Sequence, residues 1–318
     1  MATSVAAERP VIRRRTQTGD IVARWVVTIF AASILVVTFL LVYQLWSASA
    51  LSRHKSGFGF LTSTLWNPVT EEFGALPFAY GTMVTSILAL LISVPSGLGA
   101  AIFLAELAPA RLSNALTFLV ELLAAIPSVI YGLLALFTVV PLMRMYIEPF
   151  LKSAFGALPL FKGPAYGVGF LTAGIVLSIM TIPFIISVSR ESLLAVPREQ
   201  REASLALGAT RWETTWRVVV PYAKLGIFGS IFLSLARALG ETMAVTMVIG
   251  NDPKISASLL SPGYSIAAVI AGEFSEATTP VYQAALVELG LVLFFLTVII
   301  NGVARLLILA TSRKGSRR

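Results

Sequence analysis

The sequence predicts an all-α, polytopic membrane protein with six transmembrane helices and a polar helical hairpin between the fourth and the fifth. Of its 318 residues, 57% are hydrophobic and only 13% are charged, whereas a soluble domain carries about 25% charged residues. The mean hydropathy is +0.85. The apolar stretches run for roughly 20 residues or more without the polar alternation of membrane-barrel strands. A soluble domain and a β-barrel are therefore both disfavoured.

The first span is predicted at residues 25–46, after a polar tail at 1–24 that is rich in arginine and has no apolar periodicity. The span is free of formal charge for 22 residues, which at about 1.5 Å per residue covers a hydrocarbon layer of roughly 30 Å. Ala48-Ser49-Ala50 resembles the cleavage site of a secretory signal. Signal peptides have apolar regions of only about 7–15 residues, so we interpret the segment as an uncleaved anchor.

Five more spans are predicted from charge-poor apolar segments, within a membrane domain that covers residues 25–311. They are 78–105, 112–143, 163–189, 223–251 and 282–310, and a basic end follows at 312–318. Pro95, Pro127 and Pro183 interrupt three of them and are interpreted as kink or packing positions. Residues 144–162 are expected to form a loop. The connections at 47–77 and 252–281 have room for short interfacial helices.

The distribution of basic residues predicts the topology. Six spans place both termini on one side of the membrane, and 17 of the 24 Lys and Arg residues fall on that side, against six on the other and Arg237 within a span. Positive charge accumulates in cytoplasmic loops, so both termini and the insert at 190–221 are predicted to be cytoplasmic. The net charge of +8 therefore reflects topology and requires no nucleic acid as a partner.

The central insert at 190–221 carries nine of the forty formal charges and has its own helix start and stop signals. Pro197 suits a first helical turn and Gly208 a left-handed C-terminal cap, with good helix formers between them. Thr210 and Glu213 have the spacing of a capping box, which predicts a second short helix. The insert is therefore predicted to be a helical hairpin.

Two interpretations of this hairpin are open. Its small residues would permit close approach and suit a helix that enters a groove on another protein. These residues are Ala203, Ser204, Ala206 and Gly208. Trp212 and Trp216 lie on the second helix, which is expected to end at Pro221, and they would equally suit a segment that lies on lipid headgroups.

The insert resembles the EAA signature of ABC importer permeases, whose pattern is E-A-A-x3-G-x9-I-x-L-P. The matching positions are Glu202-Ala203-Ser204, Gly208 and Val218-Val219-Val220-Pro221. Serine replaces the second alanine, and valines replace the isoleucine and the leucine. The resemblance implies the type I importer permease fold and a coupling helix at 197–217 that docks on an ABC ATPase dimer. The implied coupling residues are Glu202, Ala203, Ser204, Gly208 and Thr210.

Shorter strings extend the resemblance to the phosphate-specific (Pst) importers, over roughly residues 57–315. The strings are Trp66-Asn67-Pro68, Phe73-Gly74-Ala75-Leu76-Pro77, Tyr80-Gly81-Thr82, Ile126-Pro127-Ser128-Val129-Ile130-Tyr131-Gly132 and Gly240-Glu241-Thr242-Met243-Ala244-Val245. The last string and the basic tail are similar to the C-type permease. The resemblance implies a permease subunit of an ATP-driven phosphate importer in the bacterial inner membrane. Its implied partners are a second homologous permease, the ATPase dimer and an external phosphate-binding protein.

Two alternatives to phosphate import stay open at this point. The same class of transporter could carry another oxyanion, such as sulfate or molybdate. A different class, a proton-coupled secondary carrier, could use Glu121, Glu241 or Glu288 as its proton site.

Two opposite charges lie inside the predicted fifth span. Arg237 and Glu241 are four residues apart, between uncharged stretches, and an intramembrane charge costs about 3 kcal/mol on insertion scales. On one helix the two side chains would share a face and could pair. The pair could simply pin a helix interface. We favour the alternative that it lines the anion pathway or its gate, because a guanidinium presents a planar fork of donors to phosphate.

Several classes of active site lack the residues that would form them. The chain has no cysteine, and His54 is its only histidine, so thiolate and histidine metal sites and a catalytic triad are not expected. No Gly-Lys dipeptide occurs, which excludes a Walker A loop. We therefore predict a non-enzymatic subunit without cofactor or metal, which takes its energy from a separate ATPase.

Overall fold

The computed structural model describes residues 18–315, with side chains described for residues 19–306. Most of the predicted basic tail and part of the basic end lie outside these residues. The described part of the tail is helical, because α1 covers Thr18–Ala48. The segment Gly19–Ala48 is strongly apolar, and at about 1.5 Å per residue it is long enough to cross a bilayer.

Six helices of the described chain are long and apolar enough to cross a membrane, which confirms the predicted number. After α1 they are α4 (Leu76–Leu107), α6 (Ser128–Phe155), α7 (Phe170–Leu194), α9 (Arg211–Leu239) and α12, whose apolar part is Pro280–Leu306. Helix α12 continues to Gly315. The shorter helices are α2 (Ala50–Ser56), α3 (Gly59–Thr62), α5 (Ala110–Ala125), α8 (Arg198–Ala206), α10 (Met243–Val248) and α11 (Ile266–Glu273).

The segment before α4 also forms a small antiparallel β-hairpin that the sequence did not predict. Strand β1 (Trp66–Asn67) pairs with β2 (Glu72–Phe73), with Trp66 opposite Phe73. The Asn67 side chain stabilises the turn by accepting the N–H of Val69 at 2.9 Å. Two residues per strand are too few to give a periodic pattern, so only the tertiary contacts of Trp66 and Phe73 identify this hairpin.

The prediction of one continuous third span at 112–143 is wrong. Helix α5 ends at Ala125 and α6 begins at Ser128, because Ile126 and Pro127 are both extended, with ψ of 130° and 140°. A proline disfavours helical geometry in the residue before it and has no N–H to donate. The membrane-crossing helix is therefore α6, and it continues to Phe155 through much of the region that was expected to be a loop.

The prediction of a fifth span at 223–251 is wrong at both ends. Helix α9 already begins at Arg211 and ends at Leu239. Residues 240–242 are not helical, and the short helix α10 follows. The hairpin's second helix therefore does not end at Pro221 but is the first part of α9.

Three prolines lie inside long helices for a shared structural reason. Pro141, Pro149 and Pro221 each lie two residues after a π-wound turn. These turns are Ala135–Val139, Met143–Ile147 and Thr215–Val219. In an α-helix a proline ring clashes with the carbonyl four residues earlier, and the wider winding moves that carbonyl away. The proline therefore continues the helix instead of ending it.

Helix α7 is the most buried of the spanning helices and packs closely on α4. A side chain at Gly97 would place its Cβ 2.8 Å from Cγ2 of Ile185, and one at Gly174 would place it 2.7 Å from Cβ of Leu88. Small residues let the two backbones approach each other, as is usual between membrane helices. Helices α4 and α7 therefore pack as one unit against which α9 and α10 lie.

Candidate functional site

The first helix of the central hairpin, α8, ends in the glycine cap that the sequence predicts. Gly208 has a φ of +87°, a backbone conformation that favours glycine. Its N–H donates to the Leu205 carbonyl at 3.0 Å, and the N–H of Ala209 donates to the Ser204 carbonyl at 3.3 Å. This pair of bonds is a Schellman motif, which satisfies carbonyls that the end of a helix leaves without partners.

The predicted capping box opens α9. The Glu213 N–H donates to Oγ1 of Thr210 at 3.2 Å, and the Thr210 N–H donates to Oε2 of Glu213 at 2.9 Å. The two helices are joined by a hydrogen bond of 3.0 Å between the hydroxyls of Ser204 and Thr214. The hairpin is therefore a defined structure with its own caps.

The predicted coupling residues do not all face the same way. Glu202, Ala203, Gly208 and Thr210 are exposed, whereas Ser204 is half-buried against Thr214. Four large apolar side chains that the prediction did not include accompany the exposed set. They are Leu205, Leu207, Trp212 and Trp216, with exposed fractions of 43%, 90%, 57% and 44%. Ser204 therefore holds the hairpin together, while Leu207 projects from its tip.

Arg201 anchors the hairpin to two spanning helices, and sequence reasoning missed it. Its Nη2 donates to Oε1 of Glu106 at 2.8 Å and to the Leu193 carbonyl at 2.8 Å. Its Nη1 donates to the Val196 carbonyl. The Arg201 and Glu106 side chains are only 20% and 11% exposed. The partners are 95 residues apart in the chain, so no local spacing rule could have paired them.

Arg237 and Glu241 do not form the ion pair that their spacing predicted. Arg237 is in the last turn of α9, and Glu241 lies beyond the helix end at Leu239. Ion pairs in the described part of the chain include Lys55–Glu71, Arg190–Glu191, Arg201–Glu106 and Lys254–Asp252. The i, i+4 rule requires an unbroken helix, and the break at Gly240 removes that condition.

Each of these two side chains has a separate environment instead. The guanidinium carbon of Arg237 lies 5.0 Å from the centroid of the Phe184 ring on α7, which is within the range of a cation–π contact. Its Nε is buried, and no residue with a described side chain accepts its hydrogen. Glu241 Oε1 accepts the N–H of Ala244 at 3.3 Å and so caps α10. Arg237 therefore keeps hydrogen-bonding capacity, whereas Glu241 is used by the fold.

The residues around the break between α5 and α6 pack against α10. The hydroxyl of Tyr131 donates to the Leu123 carbonyl at 2.7 Å and so satisfies the end of α5. A side chain at Gly132 would place its Cβ 2.6 Å from Sδ of Met247 and 3.0 Å from Cα of Ala244. Two of the sequence strings, at 126–132 and 240–245, are therefore in contact in the structure.

The opposite end of α4 carries an aromatic cluster around one carboxylate. Glu273 accepts hydrogen bonds from Nε1 of Trp66 at 2.8 Å and from the Tyr282 hydroxyl at 2.5 Å. Phe73 stacks on Tyr282 with ring centroids 5.2 Å apart. Burial, reinforced by the nearby Glu273 carboxylate, raises the pKa of Tyr264. The cluster ties the β-hairpin to α11 and α12.

Comparison with known proteins assigns the chain to a family. The family described as "Binding-protein-dependent transport system inner membrane component" matches residues 97–312. The chain is 52% identical to "Phosphate transport system permease protein PstC" of Xylella fastidiosa (strain Temecula1 / ATCC 700964) over 262 residues, which are 81% of each chain. The chain belongs to the PstC family of ABC importer permeases. The predicted C-type identity and non-catalytic role are thereby confirmed.

The family extends to more distant organisms. The chain is 47% identical to the PstC protein of Mesorhizobium japonicum, over 88% of this chain and 87% of that one. It is 35% identical to "Probable phosphate transport system permease protein PstC" of Methanocaldococcus jannaschii, over 87% and 90%. Membership of a binding-protein-dependent transport family implies that the permease has an ATPase and a binding protein as partners.

Solved structures share the fold. A bacterial alginate ABC transporter in complex with its alginate-bound periplasmic protein aligns with a TM-score of 0.58 at 15% identity, over 90% of this chain and 94% of that one. The MetNI methionine ABC transporter, in an inward-facing conformation, aligns with a TM-score of 0.52 at 18% identity, over 76% and 98%. These likenesses confirm the predicted ABC importer permease fold.

Proposed function

We propose that this permease forms one half of the pathway of an ATP-driven importer of inorganic phosphate. A second homologous permease forms the other half, an ABC ATPase dimer docks on residues 197–217, and an external phosphate-binding protein delivers the substrate. The observation that carries the proposal is the capped, exposed hairpin with Leu207 at its tip, whose second helix continues through Pro221 as far as Leu239. The identity to phosphate transport permeases supports the substrate.

The hairpin is proposed to face the cytoplasm, together with both termini. The excess of Lys and Arg on that side supports this orientation. Leu207 is 90% exposed and is followed by Gly208, whose missing side chain allows close approach. A protruding apolar residue beside exposed small residues fits a groove on a protein better than a flat headgroup layer. ATP-driven closure of the ATPase would then displace the hairpin and, through it, α9.

Arg237 is proposed to contact the anion in transit, and Glu241 to position the break beside it. Arg237 is half-buried, its Nε has no acceptor among the described residues, and its guanidinium presents a planar fork of donors. The Phe184 ring holds the guanidinium without neutralising it. A transporter must release its substrate, so a cation held by an aromatic ring and free of a carboxylate suits transient binding.

Reconstitution of the intact complex in vesicles tests the transport function. We expect uptake of radiolabelled phosphate that requires ATP and the binding protein. Excess unlabelled phosphate should compete, whereas sulfate and molybdate should not. Uptake that follows a proton gradient without ATP would contradict the proposal. Strong competition by sulfate or molybdate would move the substrate to another oxyanion.

Substitution at the hairpin tip tests the docking surface. We expect Leu207→Asp to release the ATPase from the purified complex, because it places a charge in an apolar contact. Val69→Asp is the matched control, since Val69 is 91% exposed but lies at the other end of α4. If the ATPase remained bound to Leu207→Asp and the variant transported normally, the hairpin would not be the docking site.

A further inference from the structure

Helix α8 has little support of its own. None of its residues is buried, and both of its ends connect through non-helical residues, Pro197 and Gly208. The hydroxyl contact of Ser204 with Thr214 holds α8 only to the other helix of the same hairpin. The contacts that fix α8 to the spanning helices other than α9 are therefore the ones that position α8 relative to those helices.

Arg201 supplies such contacts to two spanning helices at once. Glu106 lies in the last, π-wound turn of α4 (Phe103–Leu107), and its carboxylate accepts from Nη2 of Arg201 at 2.8 Å, with Nε 3.3 Å from each carboxylate oxygen. Leu193 is in the last turn of α7, where carbonyls lack partners within the helix. The guanidinium donates to the carbonyls of Leu193 and Val196 and places a cation at the negative end of α7.

The ion pair of Arg201 and Glu106 is shielded from solvent and joins α8 to helices that are already packed together. Both side chains are mostly shielded from solvent, at 20% and 11% exposed, and a shielded pair is much harder to break on one side than an exposed one. Helices α4 and α7, which it joins, are already packed closely at Gly97 and Gly174. A displacement of α8 therefore cannot occur alone while the Arg201 contacts hold.

We propose that Arg201 and Glu106 are positioning residues that clamp the hairpin to the ends of α4 and α7. The hairpin then moves as one body with α4, α7 and α9, and an ATPase displacement reaches three spanning helices rather than one. Without the clamp, α8 would swing about Pro197 and Gly208, and part of the displacement would be lost. The inference rests on the proposed docking of an ATPase on the hairpin.

The test measures coupling in the reconstituted complex, as phosphate taken up per ATP hydrolysed. We expect Glu106→Gln and Arg201→Gln to retain the ATPase but to lower this ratio at least fivefold. Glu191→Gln is the matched control, because Glu191 is also paired with an arginine near the end of α7 but has a 72% exposed side chain. An unchanged ratio in Glu106→Gln would overturn the clamp.

A conservative variant and a probe separate positioning from folding. Arg201→Lys keeps the charge but cannot reach the carboxylate and both carbonyls, so its ratio should lie between wild type and Arg201→Gln. Because the chain has no cysteine, a spin label on Ala206→Cys, an exposed position of α8, reports hairpin motion. We expect greater label mobility in Glu106→Gln and unchanged mobility in Glu191→Gln.

The outcomes distinguish the clamp from the docking proposal. Two results would overturn the clamp and leave the docking proposal intact. One is a wild-type ratio of phosphate to ATP in both Arg201→Lys and Arg201→Gln. The other is a more mobile label in Glu106→Gln with an unchanged ratio. If the complex of Glu106→Gln failed to assemble, the phosphate-to-ATP ratio of Arg201→Lys would be the test of the clamp. A wild-type ratio in that variant would count against it. Retention of the ATPase by Leu207→Asp together with normal transport would instead remove the docking site on which the clamp acts.

Discussion

The guanidinium of Arg237 faces the ring of Phe184, with 5.0 Å between its central carbon and the ring centroid. The Glu241 carboxylate, four residues later, accepts the N–H of Ala244. Arg237 is therefore not engaged by this carboxylate, whereas Glu241 caps the short helix that follows the break. The residues are close in the chain but have different tasks.

Separate partners predict additive effects for Arg237→Ala and Glu241→Ala. Removing the guanidinium should lower initial uptake about tenfold or more, since a hydrogen bond to a charged group contributes roughly 1.5–3 kcal/mol. Removing the Glu241 cap should cost about 1 kcal/mol of local stability. In a double-mutant cycle on initial uptake rates, we expect a coupling energy below about 0.5 kcal/mol. A coupling energy well above this value would indicate that Arg237 and Glu241 interact directly, as the sequence suggested.

Substitution of Phe184 should weaken transport without abolishing it. The cation–π contact is expected to contribute about 0.5–2 kcal/mol, so Phe184→Leu should reduce uptake by a factor of a few. Phe137→Leu is the control, since that ring is 74% exposed on the surface of α6. Equal uptake by the two variants would show that the ring does not position Arg237.

Gly208 should be sensitive to backbone conformation alone. Its φ is +87° and no atom lies within 4 Å of the place where a Cβ would be. Gly208→Ala should therefore destabilise the hairpin by about 1 kcal/mol, Gly208→Asn by less and Gly208→Val by more. Hydrogen exchange of the α8 amides measures the effect. Gly229→Ala, also without neighbours within 4 Å but in helical geometry, should be neutral or stabilising.

Gly132 should be sensitive to volume. A Cβ there would lie 3.0 Å from Cα of Ala244 and 2.6 Å from Sδ of Met247. The backbone of α10 cannot move aside as a side chain can, so Gly132→Ala should destabilise the protein by about 1–3 kcal/mol. Thermal unfolding measures the change. Gly99→Ala, whose Cβ would meet nothing within 4 Å, should be tolerated, and equal melting temperatures for the two variants would contradict the observed contact.

The pair formed by Lys55 and Glu71 predicts a pH dependence at the β-hairpin end. Lys55 donates to Glu71 at 2.8 Å and lowers the pKa of that carboxyl below its ordinary 4.5. The stabilisation is therefore complete above the ordinary pKa and is lost as the pH falls through the lowered one. Glu71→Gln should melt at a lower temperature than wild type near neutral pH, and this difference in melting temperature should disappear as the pH falls through the lowered pKa. A difference that persisted in acid would contradict this origin.

The clearest sequence predictions concerned local chemistry. Gly208 and the pair Thr210 and Glu213 have the caps that were predicted, because capping depends on residues within one turn of each other. The number of spanning helices was predictable because a bilayer demands long apolar runs. The EAA-like spacing identified the importer family because, like the caps, it lies within one short segment of the chain.

Only the tertiary structure decided where the helices break and which charges meet. Pro127 lies at a break between two helices, whereas Pro221 lies within a helix, two residues after a π-wound turn. The break at Gly240 separates Arg237 from Glu241. Arg201 and Glu106 are 95 residues apart in the chain, so their contact could not be predicted from local spacing. Sequence spacing records neighbours along one helix, whereas these contacts depend on how separate helices pack, and packing is a property of the whole fold.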